Sequence, residues 1–152
     1  MLEKRGVNIC HGVPADELLN RLKKPLLLVL DDLMLSMGDK PLTELFTKKS
    51  HHQNMCVIFV TQNLFDKSLR VARTNAQYIF LMRAPNAALQ IRNLGTQLFP
   101  RQLPYFLDAY NKATENPYGY IMLDLHPGSR PILRLRTDIF PDDQKKSVFV
   151  HK

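Results

Sequence analysis

Short apolar runs that stop abruptly at polar or acidic side chains set the rhythm of this chain. The first is Leu26-Leu27-Leu28-Val29-Leu30, closed by Asp31 and Asp32; the second is Cys56-Val57-Ile58-Phe59-Val60, closed by Thr61, Gln62 and Asn63. Runs of this length read as buried parallel strands whose carboxyl ends open onto solvent. A third run, Tyr78-Ile79-Phe80-Leu81-Met82, reads as another strand, and residues 7–10 as a short edge strand. Helical spacing lies between the runs. Pro14 opens a helix over residues 14–22, with Asp16 and Glu17 in the first turn where the macrodipole favours them. Residues 41–49 place Leu42, Leu45 and Phe46 on one helical face. Residues 66–75 form a polar, arginine-bearing connection. Pro85 and Asn86 introduce a helix with Leu89, Ile91, Leu94 and Leu98 on its apolar face, and a further helix spans 103–113.

Beyond residue 117 the pattern changes. Residues 118–125 and 132–136 alternate around a turn at 126–130, which predicts a β-hairpin. Arg134 and Arg136 alternate with Leu133 and Leu135, so both arginines are expected on the solvent side of one strand. Residues 142–152 read as a flexible basic tail after a domain covering 1–141. Alternating strands and helices up to Ala113 predict an α/β fold with a parallel core.

Composition narrows the class. The 152 residues suffice for one domain with a core, and 45% hydrophobic residues are ordinary for a folded protein. The apolar runs are too short to span a bilayer and the first residues open no secretory segment, so no membrane partner and no secretion are expected. Cys10 and Cys56 both abut apolar residues, which suits reduced intracellular thiols, and Cys56 is expected to face a strand core. An intracellular location is expected, the nucleus or a viral factory included. The net charge of +7 favours a polyanionic partner, most simply nucleic acid, although a solvated basic surface explains it equally.

The strand ends carry the sharpest chemistry. Mg²⁺ favours carboxylate and water oxygens, and a carboxylate at the end of a buried strand can hold one of those waters. A second acid nearby can orient the water that attacks a phosphoryl group. Asp31 and Asp32 fit those two roles; the plain alternative is a cap and a solvated carboxylate. Gln62 and Asn63, at the tip of the next strand, could donate to a phosphate oxygen and accept from that water, or simply start a loop.

The segments at 26–34 (LLLVLDDLM), 42–65 (LTELFTKKSHHQNMCVIFVTQNLF), 72–85 (ARTNAQYIFLMRAP) and 118–141 (YGYIMLDLHPGSRPILRLRTDIFP) together resemble the genome-packaging ATPases of large DNA viruses and Polinton/Maverick-type transposons. These belong to the FtsK–HerA class of P-loop motors. The resemblance implies a partial P-loop NTPase-like (ASCE) parallel sheet with flanking helices and a C-terminal hairpin. It implies Asp31 as the Walker B magnesium ligand, Asp32 as the catalytic acid and Gln62 as the polar sensor, with Asn63 beside the nucleotide. Arg73 would be the arginine reaching a neighbouring subunit's ATP, with Arg70 and Arg83 as rivals. Mg²⁺ and ATP as cofactors, double-stranded DNA as partner and a homo-oligomeric ring follow in the same way.

One departure is large. No Gly-x-x-x-x-Gly-Lys-Ser/Thr occurs among the six glycines, so the backbone cradle and lysine that bind phosphates are not in this sequence. In the family the phosphate-binding strand lies between those matching residues 56–61 and 78–82. The expectation is therefore the C-terminal part of a packaging ATPase that hydrolyses ATP only with the missing segment. The alternative is a non-catalytic basic α/β module that binds nucleic acid or a protein. Lys48, Lys49, Arg134 and Arg136 are the candidate phosphate contacts. His51 and His52 with Cys56, Cys10 and His11 have no regular zinc spacing, and Tyr105, Phe106 and Tyr110 have the spacing of core aromatics on a helix.

Overall fold

The computed structural model describes residues 7–31, 39–143 and 146–151, and at 39, 40 and 51 the backbone alone. Asp32 lies outside the described residues. The chain divides into two compact units, Met1–Asn75 and Ala76–Lys152.

Unit 1 is built on two parallel strands, β1 (Leu26–Asp31) and β2 (Met55–Val60), paired from Leu26↔Met55 through Asp31↔Val60. Before β1 comes α1 (Asp16–Arg21), with Asp16 and Glu17 in its first turn as expected. The crossover is a single helical stretch in which α2 (Asp39–Glu44) passes through a π turn, Leu45–Lys49, into α3 (Ser50–His52). Within it the Thr47 and Ser50 hydroxyls donate to carbonyls four residues back. After β2, a 3-10 turn (Lys67–Leu69) leads into α4 (Arg70–Asn75). This helix stands where the sequence suggested an irregular connection. Leu69 and Ala72 are its buried positions, and so small an apolar stripe gives little periodic signal.

Alternate residues of each strand face the helices. Leu30 and Met55 are buried with Leu19, Leu42, Leu45, Leu69 and Ala72, and Leu26, Leu28, Val57 and Phe59 pack against that cluster. The other face carries Leu27, Val29, Ile58 and Val60, each about half exposed, together with Cys56. The apolar runs therefore correspond to strands covered on one face rather than two. Cys56, expected in the core, lies on the uncovered side because it alternates out of register with Met55 and Val57.

Unit 2 is an antiparallel sheet of order β3-β4-β5-β6 with two helices against one face. β3 (Tyr78–Met82) pairs with β4 (Tyr120–Asp124) over five residues, from Tyr78↔Asp124 to Met82↔Tyr120. Between them run α5 (Ala88–Leu98), entered through a 3-10 turn with Pro85 at its start, and α6 (Leu103–Ala113). Ile79, Leu81, Ile121, Leu123 and Leu135 point inward toward Ile91, Leu94, Phe106, Ala109 and Tyr110. The Tyr110 hydroxyl donates to Met82 O and accepts from Ala84 N, each at 3.1 Å, tying α6 to the end of β3.

The expected parallel core does not extend to β3. Its ladder partner is the β4 strand of the hairpin, and its burial alternates strictly, as befits an antiparallel strand with one covered face. The hairpin itself is present: β5 (Leu135–Thr137) pairs antiparallel with β4, and Ser129 N bonds His126 O across the predicted turn. A 3-10 turn at Pro131–Leu133 shortens β5, so Arg134 precedes the strand instead of sharing a face with Arg136. The segment expected as a flexible basic tail includes β6 (Ser147–Val148), which pairs with β5. Phe149 N donates to Leu135 O at 2.9 Å and the Tyr105 hydroxyl donates to Phe149 O at 2.6 Å. Residues 7–10, expected as an edge strand, have no regular structure. The molecule is thus mixed α/β, with one parallel and one antiparallel sheet, and no helix among the described residues is long and apolar enough to cross a membrane.

Gly95 sits where α5 and α6 approach most closely. A β-carbon there would overlap the fully buried Phe106 ring and come within 2.8 Å of Leu103 Cδ1. Alanine gains about 1 kcal/mol in helix propensity, but overpacking a closed core costs about 1–3 kcal/mol. Gly95→Ala should therefore leave unit 2 no more stable and up to about 2 kcal/mol less so, read as a lowered urea midpoint.

Candidate functional site

The carboxyl ends of β1 and β2 lie side by side because the strands are parallel and in register. Asp31 pairs with Val60, so the next residues of β2, Thr61 and Gln62, continue past the same edge. Asp31 and Gln62 are both exposed there. This places one carboxylate and one neutral amide at adjacent strand tips, where ligands of open α/β sheets bind.

The loop after β2 is held by its own side chains. Asn63 N donates to Thr61 Oγ1 at 3.1 Å, and Phe65 N donates to Asn63 Oδ1 at 3.2 Å. Asp66 then accepts from the Ser68 hydroxyl at 2.6 Å and from Ser68 N at 2.9 Å, capping the 3-10 turn. Those two bonds, the hydroxyl first, hold the Asp66 carboxyl below the ordinary aspartate range. Arg73 reaches back nine residues: its Nη1 donates to Leu64 O at 2.6 Å and its guanidinium lies 4.5 Å from the centre of the Phe65 ring. The side chains of Asn63 and Arg73, expected beside a nucleotide and on a neighbouring subunit's ATP, are both engaged within this loop. Their geometry explains how the segment carrying Gln62 is fixed. Arg70, at the start of α4, is exposed, and Arg83 in unit 2 donates to Glu115 O at 3.4 Å.

The expected phosphate contacts separate in the same way. Lys49 is largely covered and bonds Asp16, with Glu44 at 3.9 Å, so it joins α1 to the crossover helix. Lys48 is exposed. Arg136 Nη2 lies 2.5 Å from Oδ2 of the buried Asp124, whose Oδ1 accepts from His126 N, while Arg134 is exposed. Sequence reasoning passed over Asp124 because it ends an apolar run; the pairing of Leu123 with Leu135 brings it diagonally opposite Arg136. Phe65 was passed over too, since only the fold brings it beneath Arg73.

Among the described residues no group of three or more His, Cys, Asp or Glu side chains could hold a metal ion. A hydrated Mg²⁺ held through one carboxylate is a smaller demand, and Asp31 fits it as a hard, exposed oxygen donor. Among the described residues, no lysine or arginine directly ends β1 or β2. The edge therefore presents one exposed carboxylate and one exposed amide at neighbouring strand ends. Among the described residues, two clefts lie elsewhere. One of about 280 Å³ is lined by Val13, Leu19, Pro41 and Leu45 around Lys49, and an open one of about 600 Å³ by Arg83, Pro85, Tyr110 and Lys112.

The sequence matches no protein-family model and no curated protein, and the fold matches no solved structure.

Two outcomes follow from the loop. Arg73→Ala removes a charge-assisted hydrogen bond and a cation–π contact, and should destabilise unit 1 by about 1–2 kcal/mol in chemical denaturation. Asp66 is stabilised as the carboxylate, so its contribution is present above the unfolded pKa and lost as pH falls through the lower folded value. Asp66→Asn keeps the cap acceptor. Urea unfolding measured between neutral pH and about pH 3 should therefore show a weaker acid dependence in the variant, with similar stability at neutral pH.

Proposed function

We propose that unit 1 is the magnesium and water-positioning half of an ATPase site, in a chain that forms the C-terminal part of a DNA-packaging or translocating motor of the FtsK–HerA class. The observation that carries this reading is the juxtaposition of Asp31 and Gln62 at the carboxyl edge of a parallel strand pair. Asp31 would hold a water of the metal shell, and Asp32, outside the described residues, is assigned the attacking water by the resemblance. Gln62 would bridge that water and a phosphate oxygen, held in place by the loop that Arg73 clamps. Bound ATP would supply the γ-phosphate, and its Mg²⁺ the charge neutralisation.

The phosphate cradle belongs to a strand–helix segment outside these 152 residues. Among the described residues β2 pairs with β1 alone and its outward aliphatic residues are half exposed, which suits the addition of such a segment. The Arg73 geometry leaves exposed Arg70 as the better candidate for an arginine acting on a neighbouring subunit's nucleotide. Double-stranded DNA as the moved polymer and a ring of identical subunits complete the proposal.

Mn²⁺ titrated in place of Mg²⁺ tests the metal half without requiring turnover. Paramagnetic broadening should appear first at the amides of Asp31, Thr61 and Gln62, at millimolar concentrations, and Asp31→Asn should remove it. Broadening that begins at Asp142 and Asp143, with residues 31 and 61–62 unaffected, would refute the assignment.

A further inference from the structure

The uncovered faces of the two sheets differ in chemistry. In unit 1 the face is aliphatic, made by Leu27, Val29, Ile58 and Val60. In unit 2 it is aromatic. Tyr78, Phe80 and Met82 project from β3 at alternate positions and are 48, 48 and 51% exposed. Across the ladder Met82 faces the partly covered Tyr120, and Phe80 faces Met122, which is buried, so the open surface is that of β3. The rings of Phe80, Tyr120 and Phe140 form a tilted row, with centroids 5.9 and 5.7 Å apart. Met122 in turn faces Arg136, whose guanidinium is oriented by Asp124.

An aliphatic sheet face is suited to a further layer of polypeptide. The half-exposed rings of Tyr78, Phe80 and Phe140 offer π faces, on which unpaired bases stack without regard to sequence. Charge points to the same occupant: residues 76–152 carry ten Lys or Arg against six Asp or Glu. Arg134 is exposed directly before β5. β3 is an edge strand of the sheet, so the Tyr78–Phe80 end of the row is open on one side. A duplex keeps its bases stacked on one another and would meet this face only through its phosphates.

We propose that the outer face of the unit 2 sheet binds single-stranded nucleic acid, with bases stacked on Tyr78 and Phe80 and the row continued by Tyr120 and Phe140. Arg134 contacts the phosphates. The site lies in a different unit from the Asp31–Gln62 edge and needs no nucleotide, so it stands or falls separately from the ATPase reading.

The test is fluorescence anisotropy of the full chain, without ATP or metal, against labelled oligothymidylate, oligouridylate and a duplex of the same length. Oligothymidylate should bind at least tenfold more tightly than the duplex, and oligouridylate shows whether the sugar matters. Phe80→Ala and Tyr78→Ala, both at exposed positions, should each weaken single-strand binding by about tenfold. The chain contains no tryptophan, so Phe80→Trp gives a single reporter that keeps the stacking surface. Its emission should be quenched by oligothymidylate, whereas Leu89→Trp, at an exposed site on α5, should not respond. Equal affinity for duplex and single strand, unchanged in Phe80→Ala and without quenching at position 80, would reduce the interaction to net charge and overturn the proposal. So would a Phe80→Ala variant that binds oligothymidylate normally but loses self-association in sedimentation, since the face would then be covered by polypeptide.

Discussion

Among the described residues, each sheet has helices over one face only, and most of what distinguishes the molecule follows from that. In unit 1 the inward residues of β1 and β2 are packed on Leu19, Leu42, Leu45, Leu69 and Ala72, while their alternates remain half exposed. Parallel sheets are ordinarily covered on both faces, because apolar surface left in water forfeits the main driving force of folding. The two-stranded parallel sheet bears four large aliphatic residues, Leu27, Val29, Ile58 and Val60, about half exposed on its outward side, and the proposed addition of a phosphate-binding segment would bury them.

Basic residues that look interchangeable in composition perform different tasks in the fold. Lys49 joins α1 to the crossover helix, Arg73 clamps the loop beyond β2, and Arg136 neutralises a buried Asp124. Each is fixed by a partner, and the pairing of Arg136 with a carboxylate that is 4% exposed is one whose removal would leave a buried charge unmatched. Lys48, Arg70 and Arg134 are exposed, as is Arg83, which donates to Glu115 O. The excess of positive charge is therefore only partly available to an external polyanion. Among the described residues none of it directly ends β1 or β2, whereas Arg134 stands exposed just before β5 of the unit 2 sheet.

Much of the local structure was legible in the residues. The apolar runs at 26–30, 56–60 and 78–82 are strands, residues 103–113 form the helix expected there, and the hairpin turn falls at 126–130. These depend on short-range signals: run length, helical spacing, proline and acidic residues at helix starts, and turn residues. The helix at Arg70–Asn75 was not legible, since it buries only Ala72 and so has almost no periodic stripe. The β6 strand was masked by its basic, polar surroundings and exists through pairing with β5 and the Tyr105 bond to Phe149.

By itself the sequence determined which segments become strands and helices, the placement of Asp31 and Gln62 at strand ends, and the lack of a phosphate cradle within these residues. Tertiary structure alone decided what those segments do with one another. It set β1 parallel to β2 and β3 antiparallel to β4, turned Cys56 outward, and drew Arg73, Lys49 and Arg136 into contacts with residues 9, 33 and 12 positions away. The physical reason is range. Local propensities act within a few residues, whereas the direction of a ladder and the partner of a charge depend on which distant surface buries the same apolar area. An apolar run such as Tyr78–Met82 serves equally as a strand covered on both faces or on one, and only the packed neighbours choose between them.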